Sequence, residues 1–169
     1  MAIAIRKMQP SDYAQVMELL AYWNLAPVAP SRDIPDPERT EVIVDNSFVA
    51  LDGDRIVGVC SFIQLSPTLA EGASLGLDPA YHGRGIGAQV ATAVRREMYA
   101  RGIRTVRSES DRPETIQWLV GRGHRIVGTT PKRHAFGSPD VGHWTVLELD
   151  LGSLPELRDL HSDRAGKGR

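Results

Sequence analysis

The chain has no second cysteine. Cys60 is the one thiol in 169 residues, so no intrachain disulfide can form, and its apolar neighbours make it a buried packing residue. Long hydrophobic runs are also missing. No window approaches the roughly 20 apolar residues of a membrane span, and the N-terminus lacks the apolar stretch of a signal peptide. The location expected from both absences is cytoplasmic. Charge of one sign is not in excess: 20 basic residues face 21 acidic ones, a net −1. A dedicated nucleic-acid binder would show a basic surplus. His124, His134 and His143 stand about ten residues apart with no cysteine near them, which is not metal-ligand spacing, so no metal is expected. There is no internal repeat. What remains is a single domain over residues 1–160, long enough for a sizeable core, with a polar, glycine-containing stretch at 161–169 expected to be a flexible tail.

Along the chain, residues 2–6 alternate around isoleucines and predict a strand. Pro10-Ser11-Asp12 predicts a helix start with Ser11 as N-cap, and Val16, Leu19 and Leu20 supply its apolar face. Residues 21–37 hold four of the eleven prolines and predict a loop or a broken helix. Residues 38–45 allow a further helical turn or two. Asp52-Gly53-Asp54 between the apolar runs 46–51 and 55–65 is a hairpin signal. Residues 68–77 form the next strand, and 88–99 a helix with Val90, Val94 and Met98 on one stripe and Arg95 and Arg96 off it. Gly102 closes that helix. A strand over 104–109 precedes Asp111-Arg112-Pro113-Glu114, which predicts a helix start with an acidic N-cap, early proline and Glu at N3, the helix running to about residue 122. Residues 125–129 and 142–151 are the last strands. Antiparallel pairing at the start and a crossover later give an α+β fold: one mixed, mostly antiparallel sheet flanked by helices.

The densest signal is Leu77-Asp78-Pro79-Ala80-Tyr81-His82-Gly83-Arg84-Gly85-Ile86-Gly87. A strand ends, glycines turn the chain, and a helix begins. The first amides of a helix have no internal partner and lie at its positive dipole end, so such a junction binds phosphate, and glycines let the backbone approach an anion closely. Glycines in such turns can also be purely steric. A dinucleotide site would need G-x-G-x-x-G near the first strand and an acidic residue further on; a nucleoside-triphosphate loop would need Gly-Lys-Ser/Thr. Neither is present.

The run from Leu75 through Gly87 resembles the coenzyme A motif of the GNAT superfamily of N-acetyltransferases, matching its proline, its tyrosine and its later glycines, with Leu77 in place of the usual valine and His82 where Arg or Gln is usual. The resemblance covers roughly residues 3 to 151. It implies a GNAT-like fold and acetyl-CoA, or another acyl-CoA, as co-substrate. It also implies that backbone amides near Leu75 and Leu77 hold the pantetheine arm and thioester carbonyl, while His82, Gly83, Arg84, Gly85, Ile86, Gly87 and Ala88 cradle the pyrophosphate.

Acyl transfer to an amine requires an oxyanion stabiliser, a base for the amine and an acid for the thiolate. Glu71 is the candidate base. It lies six residues before Leu77, which places both on one strand face unless a bulge intervenes, and the resemblance implies a base glutamate at about this position. An exposed strand-edge charge is the alternative. For the acid, the resemblance implies a tyrosine in the last helix, but the matching run Trp118-Leu119-Val120-Gly121-Arg122-Gly123-His124 carries Leu119 there. Ser110, directly or through water, is the candidate; Tyr81, Tyr22, His124 and solvent are the others. For Ser110 a solvated loop hydroxyl, and for His124 a packed aromatic substitute, are the readings that weigh more.

Tyr22 and Trp23 form an aromatic cluster that could line an acceptor site between the 21–37 loop and the last hairpin, or simply pack the first helix. Lys132-Arg133-His134 is a basic cluster that could hold a substrate carboxylate or phosphate, or be solvated. Trp144 reads as core. The function expected is acyl-CoA-dependent N-acyl transfer, acetyl above all, to the amine of a small or amino-acid-like molecule. The alternative is a GNAT-like protein that binds acyl-CoA, or uses an acyl-tRNA, without standard acetyl transfer. The partner expected is a small-molecule amine, with neither nucleic acid nor membrane; a homodimer is allowed.

Overall fold

The computed structural model describes residues 2–28, 31–33, 42–133 and 136–159. The expected tail, His134, and half of the 38–45 helical segment, residues 38–41, lie outside them; the part inside leads into a 3-10 turn at Val44–Asn46. Seven strands, β1 (Ala4–Lys7), β2 (Ser47–Asp52), β3 (Arg55–Gln64), β4 (Leu69–Leu77), β5 (Thr105–Ser110), β6 (Arg125–Pro131) and β7 (His143–Asp150), join helices α1 (Tyr13–Tyr22), α2 (Ile86–Ala100) and α3 (Pro113–Gly121). The sheet order is β1-β2-β3-β4-β5-β7-β6. All neighbours are antiparallel except β4 and β5. That single parallel pair needs the α2 crossover, and it places the glycine turn at the middle of the sheet.

The two faces carry separate cores. Val16 and Leu20 of α1 pack on Val49, Leu51, Ile56 and Val59. On the other face Val90, Val94 and Met98 of α2 pack on Cys60, Phe62, Ala70, Val106 and Leu149. Cys60 is buried, and burial pushes its thiol up to about 12.

Helix starts differ from the sequence reading. Ser11 does not cap α1. Gln9 and Asp12 form a capping box around a 3-10 turn at Pro10–Asp12, and the Asp12 carboxylate takes two hydrogen bonds from Arg6, at 2.6 and 3.0 Å. Asp111 does not cap α3 either; Arg112 occupies the N-cap, Pro113 follows at N1, and the Asp111 carboxylate is committed elsewhere. Arg95 departs from the helical stripe as read: it is 8% exposed beside Val94, whereas Arg96 faces out.

Candidate active site

β4 and β5 pair only from Leu69↔Thr105 to Gly72↔Ser108. Beyond that point the strands fork, and β4 continues to Leu77 with no strand on its β5-facing edge among the described residues. The cause is a bulge. Ser61 lies opposite Ala73 and Val59 opposite Gly76, so one extra residue is inserted, and Ser74 takes a left-handed φ of 50°. A cleft of about 1110 Å³ passes through the fork and is lined from both faces of the sheet. Gly72 sits at its base, where a Cβ would come within 2.7 Å of the Ser108 hydroxyl.

The same bulge corrects the placement of Glu71. Alternation is reset at Ser74, so Glu71 shares its face with Ala73 and Gly76, the α1 side, while Leu77 faces the α2 side with Gly58. Glu71 is half-buried and lines the cleft. Ser110 is 8% exposed and lines it from the opposite, α2 side, accepting a 3.3 Å hydrogen bond from the Arg112 amide. The two candidates for proton transfer thus stand on either side of the fork.

At the mouth, Gly83 and Gly85 have φ of 77° and 73°, and added Cβ atoms would meet nothing. Gly85 is the N-cap of α2 and supplies no side-chain cap. The first α2 amides, from Ile86, are therefore left for an outside acceptor, in the manner of an anion site. The turn is held rigidly. The Asp78 carboxylate accepts from the Ala80 amide, the Tyr81 hydroxyl donates to Asp52 at 2.6 Å, and Ile86 is buried beneath. That bond commits Tyr81 to holding the turn. Trp23 ties α1 to the mouth: its indole N–H donates to the Leu77 carbonyl at 3.0 Å, His82 stacks on it at 5.7 Å, and the Arg112 guanidinium lies 4.4 Å over its ring. Tyr22 is 67% exposed and meets Trp23 edge-on.

Leu119 is buried on the cleft wall, with no group to donate. His124 is 7% exposed, with its Nδ1 3.2 Å from the Leu119 carbonyl oxygen. Burial, then the nearby Arg95 charge, lowers its pKa to about 4. It is therefore neutral near pH 7 and is no acid for the thiolate. The unfolded chain binds a proton there below about 6.5, so stability is full above that pH and falls as the pH drops toward about 4, by up to about 3 kcal/mol. Urea unfolding across that window should show this slope, and His124→Phe should flatten it; an unchanged slope would place the titration elsewhere.

Several residues escaped the sequence reading. Ser74 carries the bulge, and its hydroxyl is buried without a partner. Lys132, expected in a substrate-binding or solvated cluster, is instead buried: its ammonium pairs with Asp111 at 2.7 Å, with side-chain exposures of 5% and 3%. It also donates to the carbonyls of Phe136 and Ser138 and lies 4.4 Å over the Trp144 ring. Asp111 accepts from the Ser138 amide as well. The β6–β7 connection is further tied to the end of α1, since the Gly137 amide donates to the Asn24 carbonyl and the Asn24 amide side chain to the Gly137 carbonyl. This connection brings Arg133 and Phe136 to the cleft. The contacts join residues far apart in sequence, and the one local sign was the glycine at 137, with φ of 67°.

No helix among the described residues is long and apolar enough to cross a membrane, and none of their His, Cys, Asp and Glu residues cluster as a metal site.

This fold recurs in solved structures. Ard1 from Thermoplasma volcanium is 18% identical, with a TM-score of 0.70, covering 89% of this chain and 98% of that one. The ribosomal-protein-S18-alanine N-acetyltransferase from Escherichia coli is 14% identical, with a TM-score of 0.66, covering 92% and 97%. N-acetylglutamate synthase from Neisseria gonorrhoeae, solved with coenzyme A and N-acetyl-glutamate, is 14% identical, with a TM-score of 0.66; it covers 89% of this chain, which spans only 35% of that one. At these identities the likeness is one of fold. No curated protein matches the chain. The acetyltransferase (GNAT) family model matches residues 16–129, and the chain belongs to that family.

Proposed function

We propose that this protein is an acyl-CoA-dependent N-acyltransferase whose acceptor is the amine of a small or amino-acid-like molecule. The observation that carries the reading is the fork between β4 and β5, opening at one end on the N-terminus of α2, which no side chain caps. Coenzyme A would lay its pyrophosphate against the amides from Gly83 to Ala88, and its pantetheine arm along the β4 edge near Leu75 and Leu77, with His82 and Arg84 at the rim. The thioester then sits at the bulge, where strand amides without a strand partner can polarise its carbonyl. The amine arrives from the α1 side, past Tyr22 and Trp23. Glu71 takes the proton that the ammonium must lose before attack. The new C–N bond forms, the C–S bond breaks, and the thiolate collects a proton from Ser110 or from water. The tie between Asn24 and Gly137 limits the acceptor side, which favours a small acceptor over a folded one.

A second reading, acyl-CoA binding without transfer, is favoured by Leu119 alone. Release of free thiol from acetyl-CoA across a panel of amines separates the two: turnover with any amine supports the first, and acyl-CoA binding with no turnover supports the second.

Gly85→Asp tests the coenzyme site. A side chain there meets no protein atom, so the fold should survive at a cost of about 1 kcal/mol for the left-handed backbone. Its carboxylate would occupy the anion's place, and calorimetry should show coenzyme A binding weakened by about tenfold or more. Unchanged affinity in a folded variant would remove the turn from the site.

A further inference from the structure

The cleft does not end at Leu119. On the α2 side of the sheet it continues past Leu119 to Arg95, Arg122 and His124. Charges in such a place are costly unless paired, and among the described residues this pocket is short of anions. Arg95 is 8% exposed and, among the described residues, spends one hydrogen bond, on the Arg122 carbonyl at 3.0 Å. Arg122 crosses to α2, where it donates to the Thr92 hydroxyl at 3.2 Å and lies 4.9 Å over the Trp118 ring, while its buried Nε has no hydrogen-bond partner among the described residues. The two guanidiniums repel each other; among the described residues Glu156, on the exposed C-terminal segment, is the carboxylate that acts on both. Cys60 and His124, the titratable groups beside them, are neutral at pH 7.

Resting on the acyl-CoA reading above, we propose that this inner end receives the terminal carboxylate of the acyl group, so that the preferred donor is the CoA thioester of a short dicarboxylic acid. Leu119 and Arg122 line the same cleft, with Arg122 at the C-cap of α3 three residues on. A carboxylate there completes the open donors of Arg95 and Arg122 with charge-assisted bonds. An uncharged acyl chain of equal length leaves them empty and adds its own methyl to a cationic pocket.

Calorimetry with CoA, butyryl-CoA and succinyl-CoA tests this, the two thioesters sharing four carbons. Succinyl-CoA should bind about ten- to hundredfold more tightly than butyryl-CoA, and Arg122→Gln should bring that ratio close to one. Equal or tighter binding of butyryl-CoA by the wild-type protein overturns the proposal while leaving the transferase reading intact. A ratio that survives in a folded Arg122→Gln also overturns it, because the preference would then arise elsewhere. Should Arg122→Gln fail to fold, the wild-type ratio decides by itself. Loss of binding for all three ligands would instead defeat the coenzyme site, and this proposal with it.

Discussion

Replacing Glu71 by glutamine should lower the acyl-transfer rate by about 10²–10⁴-fold while leaving coenzyme A affinity within twofold or so of wild type. The substitution keeps the shape and removes the base. The asymmetry follows from the bulge at Ser74, which sets Glu71 on the α1 side of the sheet while the proposed coenzyme site uses the β4 edge and the α2 terminus. Glu71 can therefore meet the amine without touching the pyrophosphate site. A base also has a clear signature in pH: the residual rate of the variant should rise with amine deprotonation, since solvent must then do the work. A wild-type rate across the pH profile would remove Glu71 from the mechanism. Glu109 would be the next residue to change, because it lines the same cleft two residues beyond Arg107, which lies opposite Glu71 in the parallel pair.

The strand and helix order was legible because its punctuation is local. Asp52-Gly53-Asp54 turns the β2–β3 hairpin, Gly102 with φ of 93° ends α2, and Pro79 with Gly83 and Gly85 makes the mouth of the cleft. The bulge was not legible. In Leu69-Ala70-Glu71-Gly72-Ala73-Ser74-Leu75-Gly76-Leu77 the hydropathy pattern is the same with or without it, and only pairing with Ser61 and Val59 reveals the inserted residue. The face shared by Glu71 and Leu77 was wrong for that reason. Arg95 escaped in a different way: a buried arginine one position off an apolar stripe reads as a surface residue until the C-cap of α3 supplies the Arg122 carbonyl that it binds. Tertiary partners decided both cases, and they decided Lys132 as well.

Lys132→Met should destabilise the protein by about 3–5 kcal/mol, the cost of leaving one member of a buried ion pair without its partner. The pair is nearly sealed from solvent on both sides, at 5% and 3% exposure, so water cannot take the place of the ammonium. Methionine also forfeits the hydrogen bonds to the Phe136 and Ser138 carbonyls and the contact over Trp144. Part of the cost is the isolated Asp111 charge, which the double variant Lys132→Met/Asp111→Asn exposes. Asparagine keeps an acceptor for the Ser138 amide, which Asp111 now holds at 2.6 Å, but carries no charge. The double variant should therefore recover a good part of the loss in urea unfolding. A single variant that loses less than about 1 kcal/mol would place this pair with ordinary surface bridges. Function should follow the same pair. The segment it anchors meets Asn24 at the end of α1 and brings Phe136 to the cleft. In the folded fraction of the single variant, the KM for the amine should rise more than the KM for the acyl-CoA, because the pair fixes the acceptor wall and lies away from the glycine turn. An equal rise in both would mean that the pair supports the whole cleft.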